Sequence, residues 1–285
     1  MSNSNENLLL KIEASLENLR PSEQKVANYV LDNYNEVKFQ TVSELASHSN
    51  VSEASVMRFI KSLGFKGFQY FKLDLASSTQ KRNSPAEVKK ITRDDSISEI
   101  FNKIKNNSFN SINDTETLLK EEEIEKAIKY IEKAEEILII GVGASGIMAQ
   151  LLKYKLLRLG IKANHISCAH LQAMQSSLIE NTGLVIGISH SGSTKDTVES
   201  MKMAQNAGAR TICITAHLKS PIGKYSDLLL CTYSRKNPLG ISQGWSSTSQ
   251  LFVIESLTAS LYAKNKEKAN KAHKKTAEAV LDKLY

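Results

Sequence analysis

Five short strand-like stretches, four of them strongly apolar, separated by segments of helical period constrain the second half of this chain more than any other feature. They are "EILIIGV" (136–142), "KANHIS" (162–167), "GLVIGIS" (183–189), "RTICITA" (210–216) and "DLLLCTY" (227–233). In the third, Leu184, Val185, Ile186 and Ile188 leave almost no polar alternation, the mark of a strand covered on both faces. Between strands lie helical stretches such as "SGIMAQLLKYKLLRLG" and "TKDTVESMKMAQNAG", and "EEEIEKAIKYIEKA" comes before the first. Strands joined through helices need crossover connections. The expectation is therefore an α/β doubly wound domain with a five-stranded parallel sheet and helices on both faces. Such sheets bind ligands beyond the carboxyl ends of their strands.

Two loops fall at that edge. "GVGASG" (141–146) follows the first strand and satisfies the G-x-G-x-x-G dinucleotide fingerprint. A nicotinamide site also needs an acid at the end of the second strand, where this chain has Ser167 and Cys168 and no carboxylate until Glu180. "SHSGSTKDT" (189–197) follows the third strand. Ser145 in the first loop and Ser189, Ser191 and Thr194 in the second bring hydroxyls to strands expected to be neighbours, and each loop opens a helix whose free N–H groups and positive dipole end suit an anion. Serine donates a hydrogen bond without bulk, and Gly143 and Gly192 are expected to let the backbone approach a ligand. The pattern points to phosphate.

The first half reads differently. Leu8, Leu9, Ile12, Leu16 and Leu19, then Val26, Tyr29 and Val30, recur at helical spacing. Thr41 with Glu44 forms a capping box that opens one short helix, Asn50 and Val51 make a turn, and Ser52 opens a second helix that Gly64 ends. Val56, Phe59, Ile60 and Leu63 share one face of that helix. Ser55, Arg58, Lys61 and Ser62 are left on the other, a helix-turn-helix with a polar, basic outer side. Such a helix enters the DNA major groove while neighbouring cations such as Lys66 and Lys72 meet phosphates.

The net charge of the 285 residues is +7, and its location agrees. Residues 1 to 50 carry four Lys/Arg against seven Asp/Glu, and residues 51 to 93 carry nine against three. "QKRNSPAEVKKITRDD" follows as a polar linker. The apolar runs are strand-sized, so no membrane span is expected, and the start of the chain lacks the features of a signal peptide; the expected residence is the cytoplasm. Cys168, Cys213 and Cys231 have no CxxC spacing, and the expectation is buried free thiols. His165, His170, His190 and His217 lack metal-ligand spacing, and no metal or cofactor is expected.

"SEASVMRFIKSLGFKGFQYFKLDL" closely resembles the DNA-binding module of the RpiR family of bacterial transcription regulators over about the first 77 residues. The resemblance implies operator binding and puts Ser52, Ser55 and Arg58 in the groove-facing segment. "GVGASG" with "SHSGSTKDT" resembles the sugar isomerase (SIS) domain, a flavodoxin-like fold, over about residues 124 to 265. It implies that Ser145, Ser189, Ser191 and Thr194 hold the phosphate of a phosphorylated sugar, with His190, Gly192 and Ser193 in the same loop; the family often has Glu where this chain has Ser193. The organisation expected is a helix-turn-helix domain at 1–77, a linker and connecting helix at 78–123, and a SIS domain with C-terminal helices at 124–285. The function expected is regulation of carbohydrate metabolism by a phosphosugar-sensing homodimer or homotetramer on operator DNA, with no catalytic residue. The alternative is a phosphosugar isomerase with an accessory helical domain, which needs a proton-transferring base among Glu180, Glu199, Glu255, His170 and His190.

Overall fold

The structure is a computed structural model that describes residues 8–80, 91–217, 219–233 and 245–283. The chain divides into two compact units, Met1–Leu118 with Tyr233–Gly240, and Leu119–Thr232 with Ile241–Tyr285.

The first unit is helical: α1 (Leu8–Ser15), α2 (Pro21–Val37), α3 (Val42–His48), α4 (Glu53–Ser62), α5 (Phe68–Gln80) and α6 (Ile97–Leu118). The Thr41 hydroxyl accepts from Glu44 N at 3.2 Å while the Glu44 carboxylate accepts from Thr41 N at 2.7 Å, so the expected capping box starts α3. Its end is set by Asn50, which takes φ +54 and lets Val51 N donate to Ala46 O and Asn50 N to Ser47 O. These are the paired bonds of a Schellman motif, and they form the turn between α3 and α4. Gly64, at φ +91, ends α4 by the same pair of bonds, Phe65 N to Ile60 O and Gly64 N to Lys61 O. Val56, Phe59 and Ile60 then lie fully buried against Leu45, Phe71 and Leu75, with the Phe59 and Phe71 rings edge to face at 6.0 Å. α6 lies within the stretch expected to carry the connecting helix.

The second unit begins with α7 (Glu121–Lys133) and continues β1 (Ile137–Ile140), α8 (Ala144–Arg158), β2 (Asn164–His165), α9 (Ala169–Leu178), β3 (Leu184–Ile188), α10 (Lys195–Asn206), β4 (Arg210–Thr215), β5 (Leu228–Cys231), α11 (Trp245–Lys264) and α12 (Lys266–Glu278). All five expected strands are present and pair in parallel in the order β2-β1-β3-β4-β5. The strand side chains alternate between two cores. Ile137 and Ile139 pack with Leu152 and Leu156 of α8 and Leu257 of α11, whereas Leu138 and Ile140 pack with Met201 and Ala204 of α10. Apolar residues on both pleats thus follow from the two helical layers. Among the described residues no helix is long and apolar enough to cross a membrane.

Candidate functional site

β1 has β2 on one side and β3 on the other, while the chain reaches them through different helices, so the sheet's topological switch point lies between β1 and β3. Both hydroxyl-bearing loops leave there. Ile140 stands opposite Gly187, and one residue further a side chain on Gly141 would lie 3.0 Å from Ile188 O and 2.9 Å from Ser145 O. Glycine at 141 is what lets the two loops and the start of α8 close on one another.

Each expected phosphate ligand has a traceable position. Gly143 precedes α8 with φ +58 and ψ −133, a conformation that side-chain-bearing residues rarely adopt, and a Cβ there would meet open space. Ser145 is the second residue of α8 and half-buried. Ser189 is buried; its N–H extends the ladder to Ile214 O, and its hydroxyl accepts from Gly192 N at 3.1 Å and faces Thr194 Oγ1 at 3.5 Å. Thr194 precedes α10 but makes no side-chain capping bond. Ser191 and Ser193 are exposed, with Ser191 Oγ accepting from Ser193 N at 3.2 Å. The first turns of α8 and α10 add N–H groups without intrahelical partners and the positive ends of two helix dipoles. The edge thus presents donors from two helices and two loops.

Gly192 also answers a packing requirement. Its φ is +61, and the place of a Cβ is taken by the Ser220 side chain and by Thr215 Oγ1, so the loop after β4 requires glycine here. That loop is fastened to the loop after β3: Ala216 N donates to His190 O at 3.0 Å and Ile222 N to Gly192 O at 3.0 Å. Ser220 Oγ donates to His217 O at 2.8 Å, and the His190 and His217 rings meet edge to face at 6.2 Å. On the other side Gln172, fully buried in α9, donates from Nε2 to Gly141 O at 2.9 Å and to Ile166 O, tying the first loop to the end of β2. Gln172, Thr215, His217 and Ser220 were not site candidates in the sequence, because the loop residues they reach lie 25 to 31 positions away and no local spacing marks them.

The carboxylates weighed as proton-transferring bases are dispersed, whereas His190 lies in the loop after β3. Glu180 precedes β3 and so lies at the amino edge of the sheet, opposite the loops. Glu255 of α11 pairs with Lys155 of α8 at 2.7 Å, and Glu199 lies 3.9 Å from Lys195 one turn earlier on the solvent side of α10. His170 opens α9 at the carboxyl edge, exposed. Of the cysteines, Cys213 and Cys231 are buried as expected, but Cys168 is exposed ahead of α9. Burial pushes the Cys213 thiol far above its ordinary range, so it stays protonated. No group of three or more His, Cys, Asp or Glu among the described residues is arranged to hold a metal.

In the first unit Arg58, Lys61 and Lys66 are exposed. Ser52 caps α4 by accepting from Ser55 N. Ser55, expected on the outer face, is buried instead: its hydroxyl meets Ser52 Oγ at 3.1 Å and accepts from Arg58 Nη2 at 2.8 Å. It orients the guanidinium. Ser62 bonds back to Phe59 O at 2.7 Å. Lys72, expected at a phosphate, is half-buried, donates to Gln40 O at 2.8 Å and lies over the Phe68 ring, so its ammonium ties α5 to the loop before α3.

Together the two units define a class of protein, the helix-turn-helix transcription regulators built on an α/β ligand-binding fold. The chain belongs to the RpiR family of that class: residues 6–82 match the helix-turn-helix domain of the rpiR family and residues 130–260 the SIS domain. It is 32% identical over 280 residues, 97% of each chain, to an HTH-type transcriptional regulator of Haemophilus influenzae. It is 27% identical over 268 residues to the HTH-type transcriptional regulator RpiR of Escherichia coli K12, covering 93% of this chain and 89% of that one. The structure of Vibrio vulnificus NanR complexed with ManNAc-6P matches with a TM-score of 0.63 and 28% identity over 97% of this chain and 99% of that one. The sugar isomerase domain of an RpiR transcription factor from Sphaerobacter thermophilus shares the fold of the second unit, with a TM-score of 0.58 at 23% identity, covering 63% of this chain and 98% of that one.

Proposed function

We propose that this chain regulates genes of carbohydrate metabolism by sensing a phosphorylated sugar in its second unit and reading operator DNA with α4 of its first. The observation that carries the reading is the convergence of Ser145, Ser189 and Thr194 with the starts of α8 and α10 at the switch point. A phosphate dianion is the ligand that such hydroxyls and helix dipoles favour most. Residues 1–77 serve as the reader, 78–123 as the connection and 124–285 as the sensor, working in the cytoplasm as a homodimer or homotetramer. Ser145, Ser189, Ser191 and Thr194 hold the phosphate, with Gly143, His190, Gly192 and Ser193 shaping the site. Ser52, Arg58, Lys61, Ser62 and Lys66 face the operator, and Ser55 and Lys72 act by holding neighbours in place. The phosphosugar is an effector, needs no cofactor, and is not turned over. It acts by binding unequally to DNA-competent and incompetent states.

Calorimetric titration with a panel of sugar phosphates, beginning with the ManNAc-6P bound by Vibrio vulnificus NanR, tests the sensor. Ser191→Ala, which removes one hydrogen bond to a charged group, lowers affinity by roughly 1.5 to 3 kcal/mol and shifts the operator response to higher ligand concentration. A response to ligand unaltered by Ser191→Ala removes this loop from the sensing site. Incubation of the bound sugar in deuterated water leaves the carbon beside the carbonyl unexchanged; rapid exchange there makes the protein an isomerase.

A further inference from the structure

The buried face of α6 is polar. Its four buried residues are Asn107, Ser111 and Thr115, at i, i+4 and i+8, with Leu118 completing the face. Thr115 is fully buried, and its hydroxyl is used in both directions: it donates to Ser111 O at 2.7 Å and accepts from Tyr233 N at 3.0 Å. Tyr233 belongs with α6 to the first unit, yet it stands two residues beyond the end of β5 in the second. The Thr232–Tyr233 peptide is therefore a covalent crossing between sensor and reader, and its N–H is the one that Thr115 holds. The other side of that peptide leads back to the effector loops. Thr232 N donates to Thr215 O at 2.8 Å, Ala216 N to His190 O at 3.0 Å and Ser189 N to Ile214 O at 3.0 Å. Thr215, Thr232 and Tyr233 are fully buried, so water does not compete for the bonds they make.

We infer that Thr115 is the positioning residue of the effector response: its hydroxyl fixes α6 to the Thr232–Tyr233 peptide, so that a shift of the loops after β3 and β4 on phosphate binding moves the connecting helix. The chemistry of the tie suits this role. Apolar side chains slide past one another at little cost, whereas a buried hydrogen bond has a fixed direction, and separating its partners leaves a donor and an acceptor unpaired away from water. Helix and peptide therefore move together. α6 packs on α1, and α1 packs on α2 and α5 of the reader, so a displacement of α6 is felt by the helices that hold the helix-turn-helix. The inference rests on the effector reading proposed above and deepens it by naming how an occupied site is reported. Coupling of this kind is a difference in operator affinity between empty and occupied sensor, and it is measured apart from either binding step.

Full-length Thr115→Val, which keeps the shape and removes the hydroxyl, and Thr115→Ser, which keeps the hydroxyl, are the test. Calorimetry gives the affinity for ManNAc-6P and for the 6-phosphates of glucose, fructose and N-acetylglucosamine; fluorescence anisotropy gives operator affinity with and without the tightest of these. Coupling of ordinary size changes operator affinity about 5- to 150-fold. Thr115→Val keeps sugar-phosphate affinity and unliganded operator affinity within about twofold, while its response falls to less than about a third of the unsubstituted one. Thr115→Ser responds in full, as does Thr117→Val, which removes a hydroxyl bonded to Asn113 O at 2.9 Å on the same helix. In the unsubstituted chain, hydrogen exchange at the Tyr233 amide and along residues 111–118 changes when the sugar phosphate is added, a readout that requires no variant to fold. A full response in Thr115→Val, an equal loss in Thr115→Ser, or exchange at these amides unmoved by sugar phosphate overturns the inference and leaves the effector reading standing. An unsubstituted chain that neither binds these sugar phosphates nor answers them on the operator removes the effector reading, and this inference with it.

Discussion

Gly192→Ala probes the position where the structure adds a packing requirement that the sequence does not carry. The substitution places a side chain at φ +61, which costs about 1 to 2 kcal/mol by itself. The new methyl lies 2.9 Å from Thr215 Oγ1 and closer to the Ser220 side chain. Ser220 has little room to yield, since both its N–H and its hydroxyl are committed to His217 O at 3.2 and 2.8 Å. Overpacking of this kind adds about 1 to 3 kcal/mol, for a total of roughly 2 to 5 kcal/mol. At about 2 to 4 °C per kcal/mol for a unit of this size, the second unit should melt roughly 4 to 20 °C lower, measured by differential scanning calorimetry. Gly143→Ala is the matched comparison: its Cβ meets nothing within 4 Å, so only the dihedral cost of about 1 to 3 kcal/mol applies. Adding Ser220→Gly to Gly192→Ala should recover most of the packing part but not the dihedral part, a coupling visible in a double-mutant cycle. Sugar-phosphate affinity falls at least about tenfold in Gly192→Ala, as the Ser189–Gly192 turn can no longer seat on the loop after β4. A melting temperature within about 1 °C of the unsubstituted chain, or no gain from Ser220→Gly, refutes the packing argument.

Arg58→Ala should weaken specific operator binding by roughly 1 to 3 kcal/mol, and Ser55→Ala by less, since it only frees the guanidinium; Lys66→Ala should weaken all DNA sequences alike and lower the salt dependence, all read by fluorescence anisotropy at matched salt. The Glu44 carboxyl is held below its ordinary range, first by the Thr41 N–H and then by the Thr41 hydroxyl. Its contribution to stability is therefore complete above the unfolded glutamate value and is lost as pH falls through the lower folded value, so the acid loss of helix-turn-helix stability, followed by circular dichroism, should be smaller in Glu44→Gln. Native-state alkylation followed by mass spectrometry should modify Cys168, which is exposed, and spare Cys213 and Cys231, which are buried.

What the sequence determined by itself is what short-range physics encodes. Thr41 with Glu44 and Ser52 set two helix starts, and Asn50 and Gly64 supply the positive φ that ends α3 and α4, so the reader was legible within about 25 residues. Apolar runs marked four of the five strands, the polar two-residue β2 being read from its place between helices, and the crossovers put Ser145, Ser189, Ser191 and Thr194 at one edge. Tertiary structure alone decided the rest. Helical period puts Ser55 on the outer face, but the Arg58 guanidinium and Ser52 cover it. Lys72 reads as a free cation until folding brings Gln40 O to it across 32 residues. The packing need for glycine at 192 appears only when the loop after β4 brings Ser220 to it, and Gln172 gains its role only when folding brings the Gly141 carbonyl to it. Period and capping depend on neighbours within one or two turns and are written along the chain. A side chain's burial and its hydrogen-bond partner depend on which distant segment the closed fold delivers, and no local spacing carries that information.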